Sequence, residues 1–119
     1  MGPGDVVWVD LGDAVGREQR GRRPAVVVSS SDHLAAADSL VSVVPCTSRD
    51  RGWINHIRLD VTGGGLDHPT FALTEQVRTV ARDRVVGTAG VVSAGCLAEI
   101  MAWIHRWLAP PPEGYPPRI

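Results

Sequence analysis

The sequence predicts a mainly β domain with one terminal helix, an α+β fold built as a small barrel-like sheet. Three observations carry that expectation. Short apolar segments alternate with Gly- and Arg-rich loops, 17 of the 119 residues are valine, and only one stretch has a clear helical period. Valine is stiff at χ1 and suits a pleated, half-buried surface better than a helix. At 44% apolar, the chain can bury one core but has no length for a second.

Asp5-Val-Val-Trp-Val-Asp10 reads as the first strand, and residues 11–22, with Gly12, Gly16 and Gly21, read as a long loop. The continuous apolar run of residues 24–28 suits a central strand buried on both faces, with Pro24 confined to its start for want of an amide donor. Residues 30–37 suit one short helix capped by Ser31 or Asp32. A third strand follows over residues 40–46, then a polar connection over 47–52. Residues 53–60 alternate as a fourth strand, with Ile57 and Leu59 on one face and His56 on the other. The triplet Gly63-Gly-Gly65 reads as a flexible turn. It lacks the following Gly-Lys-Ser/Thr and the strand-to-helix context of a phosphate loop.

Short strands over residues 70–73, 76–80 and 88–92 complete the β content. Ser93 then caps a helix whose Leu97, Ile100, Met101, Ile104 and Leu108 form one apolar stripe, widened by Trp103 and Trp107. A stripe this broad packs on a sheet. Pro110-Pro-Pro112 ends the helix, leaving residues 110–119 as a Pro-rich extended tail beside a domain of residues 1–109.

All twelve basic residues are arginine, set against thirteen acids, for a formal charge of −1. That balance excludes a uniformly basic nucleic-acid clamp but conceals segregation. Residues 16–23 carry +3 and residues 47–53 carry +1, against −5 elsewhere. Arginine forks match phosphate oxygens bidentately, so two such loops fit a nucleic-acid backbone. Equally, the same arginines would solvate the surface or pair with Asp13, Glu18 and Asp50. Cys46 and Cys96 lie in no ligand spacing, and His33, His56, His68 and His105 show none either, so no metal site and no cofactor are expected. No run approaches a membrane span, and two reduced thiols fit a cytoplasmic protein.

Several strings together resemble the MazF/PemK family of toxin endoribonucleases. They are Gly4-Asp-Val-Val-Trp-Val-Asp-Leu11, Gly16-Arg-Glu-Gln19, Arg23-Pro-Ala-Val-Val-Val-Ser29, Val44-Pro-Cys-Thr-Ser48 and Ala72-Leu-Thr-Glu-Gln-Val-Arg78, with the terminal helix in register. The resemblance spans residues 4 to about 108 and implies a compact SH3-like β-barrel with the helix on the sheet. It further implies a homodimer, a cognate antitoxin, and metal-free cleavage of single-stranded RNA at short motifs.

Such cleavage uses the ribose 2′-hydroxyl against the adjacent phosphorus. At positions matching the family motifs, Arg23 would stabilise the pentavalent oxyanion and Thr47 would hydrogen-bond a phosphoryl oxygen. Glu18 is the candidate base for the 2′-hydroxyl, or else orients Arg23 or Arg20. Flanking arginines favour its ionised form, which weakens it as a base. Arg17, Gln19, Arg20, Arg22, Ser48, Arg49 and Arg51 would bind RNA. Trp53 would stack a base or close the barrel end, His56 would sit at the surface or on RNA, and Gln76 would face RNA or the dimer partner. An acidic disordered antitoxin segment would complement the arginine loops.

Two other readings stand beside the nuclease. Toxins of the same barrel poison DNA gyrase by binding, a mode tied to the end of the helix; here that end is Trp107-Leu-Ala-Pro-Pro-Pro, which differs from theirs. A degenerate member would bind RNA or antitoxin without cutting, a reading kept open by Arg17 where many relatives have serine.

Overall fold

Alternating valines on three neighbouring strands build the centre of the fold in the computed structural model, which describes residues 1–12, 21–109 and 114. Strand β1 (Asp5–Asp10) pairs antiparallel with β2 (Arg22–Val27), and β2 with β3 (Leu40–Thr47). Because successive side chains alternate, Val6, Val26, Val44 and Cys46 enter one core. Val7, Val9, Ala25, Val27, Val41 and Val43 enter a second core on the opposite face, which the chain length was expected to exclude and which one sheet covered on both faces provides within a single domain. The central strands are therefore buried on both faces over residues 25–27 and 43–46, as the run at residues 24–28 predicts. The second core is covered by Leu34 of α1 (Ser31–Ala36) and Val80 of β7 (Arg78–Ala81). Arg82 holds α1 in place by donating to the carbonyls of Leu34, Ala37 and Leu40.

The remaining strands are β4 (His56–Arg58), β5 (Val61–Thr62), β6 (Phe71–Leu73) and β8 (Val85–Val92), followed by α2 (Ala94–Leu108). Across the sheet the order is β4-β6-β3-β2-β1-β8-β5, with β7 also paired to β3. The two ends of this path, β4 and β5, are separated in the chain only by Leu59 and Asp60. Laid flat, seven strands would put them about 29 Å apart. Three chain steps span at most about 11 Å. The sheet must therefore curl until its ends meet, which is the barrel the sequence predicts. Register shifts in the β1–β8 pairing, between Val6 and Val7 and between Trp8 and Val9, supply local bending.

The β5–β8 seam requires close backbone approach. A Cβ at Gly90, where φ is 127°, would collide with the Thr62 carbonyl, and one at Gly65 would collide with the backbone of Ala89. The glycine triplet is a turn, but one packed against β8 and not a loose one. Inside the first core, Cys96, Ile100 and Ile104 of α2 meet Ile57, Leu59, Ala72, Ala89 and Val92. Leu97 and Trp103 are half-buried against this core, whereas Met101, Trp107 and Leu108 are exposed.

Several boundaries differ from expectation for identifiable reasons. The N-cap of α1 is Ser30, whose hydroxyl accepts from the His33 amide. Pro24 is the third residue of β2 and not its first. It is tolerated because β3 pairs with β2 only from Ala25 onward. Pro45 lies inside β3 where the partner on its other side changes from β7, which ends opposite Val43, to β6, which begins opposite Cys46. The expected fourth strand shrinks to β4, because the chain must turn at Leu59 to reach β5. Thr74–Gln76 forms a 3-10 turn, so β7 starts at Arg78 and Gln76 lies outside a strand. Of the C-terminal tail, only Gly114 falls among the described residues.

Gly90→Ala is expected to destabilise the fold by about 1–3 kcal/mol through overpacking of the seam. Gly95→Ala, in α2 with open space around its Cα, should stabilise by less than about 1 kcal/mol. Urea unfolding midpoints of the two variants, moving in opposite directions, check the assignment.

Candidate active site

The ends of β2 and β3 bring Arg23 and Thr47 to one cleft. Val27 faces Val43, Val26 faces Val44 and Ala25 faces Pro45. Arg23 and Thr47 each lie two residues beyond the last of these pairs, where Thr47 instead pairs with Phe71 of β6. Both line a cleft of about 160 Å³ at the ends of β2 and β3, with Arg22 and Ser48 beside them. Arg23 is half-buried and its backbone pairs with Val9, so the guanidinium rises from a fixed strand position.

Thr47 is buried at the end of β3, where it pairs with Phe71. Its hydroxyl accepts from the Arg49 amide at 3.2 Å, which turns the chain away from the sheet. Among the described residues, the hydroxyl proton has no acceptor. It remains available to a ligand oxygen.

Trp8 forms one wall of the cleft. It sits opposite Pro24 in the β1–β2 ladder and leans on the first core. The other wall comes from the loop between β5 and β6, through Leu66, Asp67, His68 and Thr70. This loop is held at several points. Leu66 packs against the first core, the Thr70 hydroxyl donates to the His68 carbonyl at 3.0 Å, and the Leu59 amide donates to the Thr70 carbonyl at 2.8 Å. The His68 Nε2 lies 3.6 Å from the Asp67 carboxylate, and both side chains are largely exposed.

The cleft continues in both directions. A shallower depression of about 520 Å³ shares Ser48 and His68 and adds Arg58 and Asp50. Another shares Trp8 and Arg22 and reaches Val86. The result is a groove with Arg22, Arg23 and Arg58 along it, interrupted by Asp50 and Asp67. Arginine forks spaced along a groove, with an apolar wall at Trp8, can hold a phosphodiester chain.

Four of the expected site residues thus converge: Arg23, Thr47, Arg22 and Ser48. Arg49 and Arg51 are exposed in the neighbouring loop without lining the cleft. Arg17, Glu18, Gln19 and Arg20 lie outside the described residues. Gln76 lines a separate depression with Glu75, Arg78 and Thr79.

His56 departs most from expectation. Its side chain is 2% exposed, and its Nε2 meets the Glu75 carboxylate at 3.0 Å. Its Nδ1 is buried without a partner among the described residues. Trp53 covers the imidazole at a ring separation of 4.7 Å, so it caps this histidine and does not close the barrel core. Asn55 Nδ2 also donates to Glu75, the Thr74 hydroxyl donates to the Asn55 carbonyl at 2.7 Å, and Trp107 Nε1 donates to Thr74 at 3.2 Å. The cluster pins the β3–β4 loop to the end of α2. Alternation misplaced His56 because β4 is three residues long, too short for the pattern to set a face.

Trp8, Arg58, Asp67 and His68 were not singled out from the sequence. Trp8 was accessible through its rung opposite Pro24. The loop residues carry no local signal, since only closure of the sheet brings them here.

Cys46 forms part of the cleft floor but is fully buried, and burial pushes its thiol up, away from thiolate chemistry. Burial raises Cys96 as well, and both thiols are free. Among the described residues, no three His, Cys, Asp or Glu side chains gather as metal ligands. No helix among them is long and apolar enough to cross a membrane.

Comparison with known proteins places these features. Residues 2–108 match the family model described as PemK-like, MazF-like toxin of type II toxin–antitoxin system. The endoribonuclease MazF9 of Mycobacterium tuberculosis is 37% identical over 105 residues, covering 84% of this chain and 89% of that protein. The crystal structure of MazF from Deinococcus radiodurans superposes with a TM-score of 0.76 at 28% identity, covering 91% of this chain and 96% of that one. A MazE–MazF structure from the same organism gives a TM-score of 0.72 at 28% identity, covering 91% and 95%.

Thr74→Val keeps the buried shape but leaves the Asn55 carbonyl and the Trp107 N–H unpaired, and should cost about 1–3 kcal/mol in urea unfolding. Cys46 should resist iodoacetamide in the folded protein and react once urea unfolds it, as read by mass spectrometry. Prompt alkylation of the native protein would contradict its burial.

Proposed function

This chain belongs to the PemK-like, MazF-like family of type II toxin–antitoxin toxins and is an endoribonuclease of that family; from the groove we propose how it cuts single-stranded RNA. The observation that carries the reading is the convergence of Arg23 and Thr47, which are distant in sequence, on one cleft. The ribose 2′-hydroxyl attacks the adjacent phosphorus and the 5′-oxygen departs, leaving a 2′,3′-cyclic phosphate and a 5′-hydroxyl. No metal is required, since the nucleophile is part of the substrate.

Arg23 stabilises the charge that builds on the phosphoryl oxygens, from a half-buried position where a fixed cation is worth more than in water. The Thr47 hydroxyl donates to the same phosphoryl group. Glu18 takes the 2′-hydroxyl proton or orients an arginine. Arg22, Ser48 and Arg58 hold the flanking phosphates, and Trp8 offers a face to a base. The working unit is a cytoplasmic homodimer, and the antitoxin occupies the groove with an acidic segment that matches the arginines. A relative solved as a MazE–MazF structure supports that partnership.

Purified protein is expected to cleave long single-stranded RNA in excess EDTA, with ends mapping as cyclic phosphate and 5′-hydroxyl. Arg23→Ala should lower kcat by about 10²–10³-fold, the usual effect of removing one oxyanion donor. No cleavage by the parent, or equal cleavage by both proteins, would sink the reading.

A further inference from the structure

We propose that His68 is the general acid that protonates the departing 5′-oxygen. The assignment rests on the nuclease reading above and fills a role which that reading leaves empty. Arg23 is a poor proton donor, because a guanidinium scarcely deprotonates in proteins. A threonine hydroxyl is no better suited near neutral pH. Imidazole is the side chain that exchanges protons in that range.

His68 is the only histidine that lines the cleft shared by Arg23 and Thr47, among the described residues. It also lines the adjoining depression, so it stands where the chain leaving the cleft would pass. Its position is built into the loop. Leu66 anchors the loop in the core, the Thr70 hydroxyl holds the His68 carbonyl, and Pro69 restricts the backbone that follows. The Asp67 carboxylate lies 3.6 Å from Nε2, and both side chains are largely exposed. Among the described residues, the other charged groups facing the imidazole across the two depressions are Arg22 and Arg23 of β2, Asp50 after β3, and Arg58 of β4.

In the step, the O2′–P bond forms as the P–O5′ bond breaks. The 2′-hydroxyl proton goes to the base, a proton passes from the imidazolium to O5′, and water then reprotonates the neutral imidazole. Because the protonated ring is the active form, kcat/KM should fall as pH rises.

The test compares the parent, His68→Gln and Arg23→Ala on two RNA substrates. One is ordinary, and the other carries sulfur in place of the bridging 5′-oxygen at the scissile bond. The thiolate leaves without a proton. On ordinary RNA, His68→Gln should lose about a hundredfold in kcat/KM and lose the parent's fall at high pH. On the sulfur substrate it should cleave at nearly the parent's rate, while Arg23→Ala stays impaired on both. An equal loss by His68→Gln on both substrates, or no loss on either, overturns the assignment while leaving the nuclease intact. A parent that cleaves neither substrate overturns the nuclease reading itself.

Discussion

The fold depends on one geometric constraint: the two ends of a seven-strand path are joined by Leu59 and Asp60. A chain with so short a link has no flat solution. Curling is compulsory, and the rest of the structure follows from accommodating it. The bulges in β1–β8 bend the strands, and the glycines at the seam let β5 lie against β8. The interior made by curling is filled by the inward valines and by Ile100 and Ile104 of α2. The Ser93 amide donates to the Asp60 carbonyl at 2.9 Å, so the start of the helix is tied to the link itself.

The same constraint assembles the groove. Strands β2 and β3 alone supply Arg22, Arg23, Pro24, Cys46 and Thr47, with Ser48 just beyond β3, on an open sheet end. Strand β5 lies beside β8, whereas β6 lies beside β3 and β4, so the loop joining β5 to β6 has to cross from one side of the seam to the other. In doing so it passes the ends of β2 and β3 and turns an open edge into a walled cleft. Its anchors at Leu66 and Thr70 make that wall part of the folded body and not an appended flap.

This division explains what could be read from sequence. The run at residues 24–28, the alternation of β1, the Ser93 cap and the terminal helix are local patterns, and each was legible. Arg23 and Thr47 were found by resemblance, and the ends of two valine-rich strands bring both to one cleft. His56 was misjudged because a three-residue strand holds no reliable alternation, and its Glu75 partner is 19 residues away. The wall residues Asp67 and His68 were illegible for another reason. Their place depends on a closure that no local window encodes. Trp53 marks an intermediate case: its loop position was evident, but its contact with His56 was not.

Closure also sets an order of events in folding. The β1–β8 pairing joins residues 5–10 to residues 85–92, so nearly the whole chain must be present before the sheet can shut. Strands β2 and β3, by contrast, come together from a segment of fewer than 30 residues. In chain order, Arg23 and Thr47 precede the wall residues 66–70, and these precede the strand that closes the sheet. The groove becomes whole only when the last strand returns to the first. During synthesis, until that return, the nascent chain leaves its unpaired strand edges exposed to any partner able to pair with them.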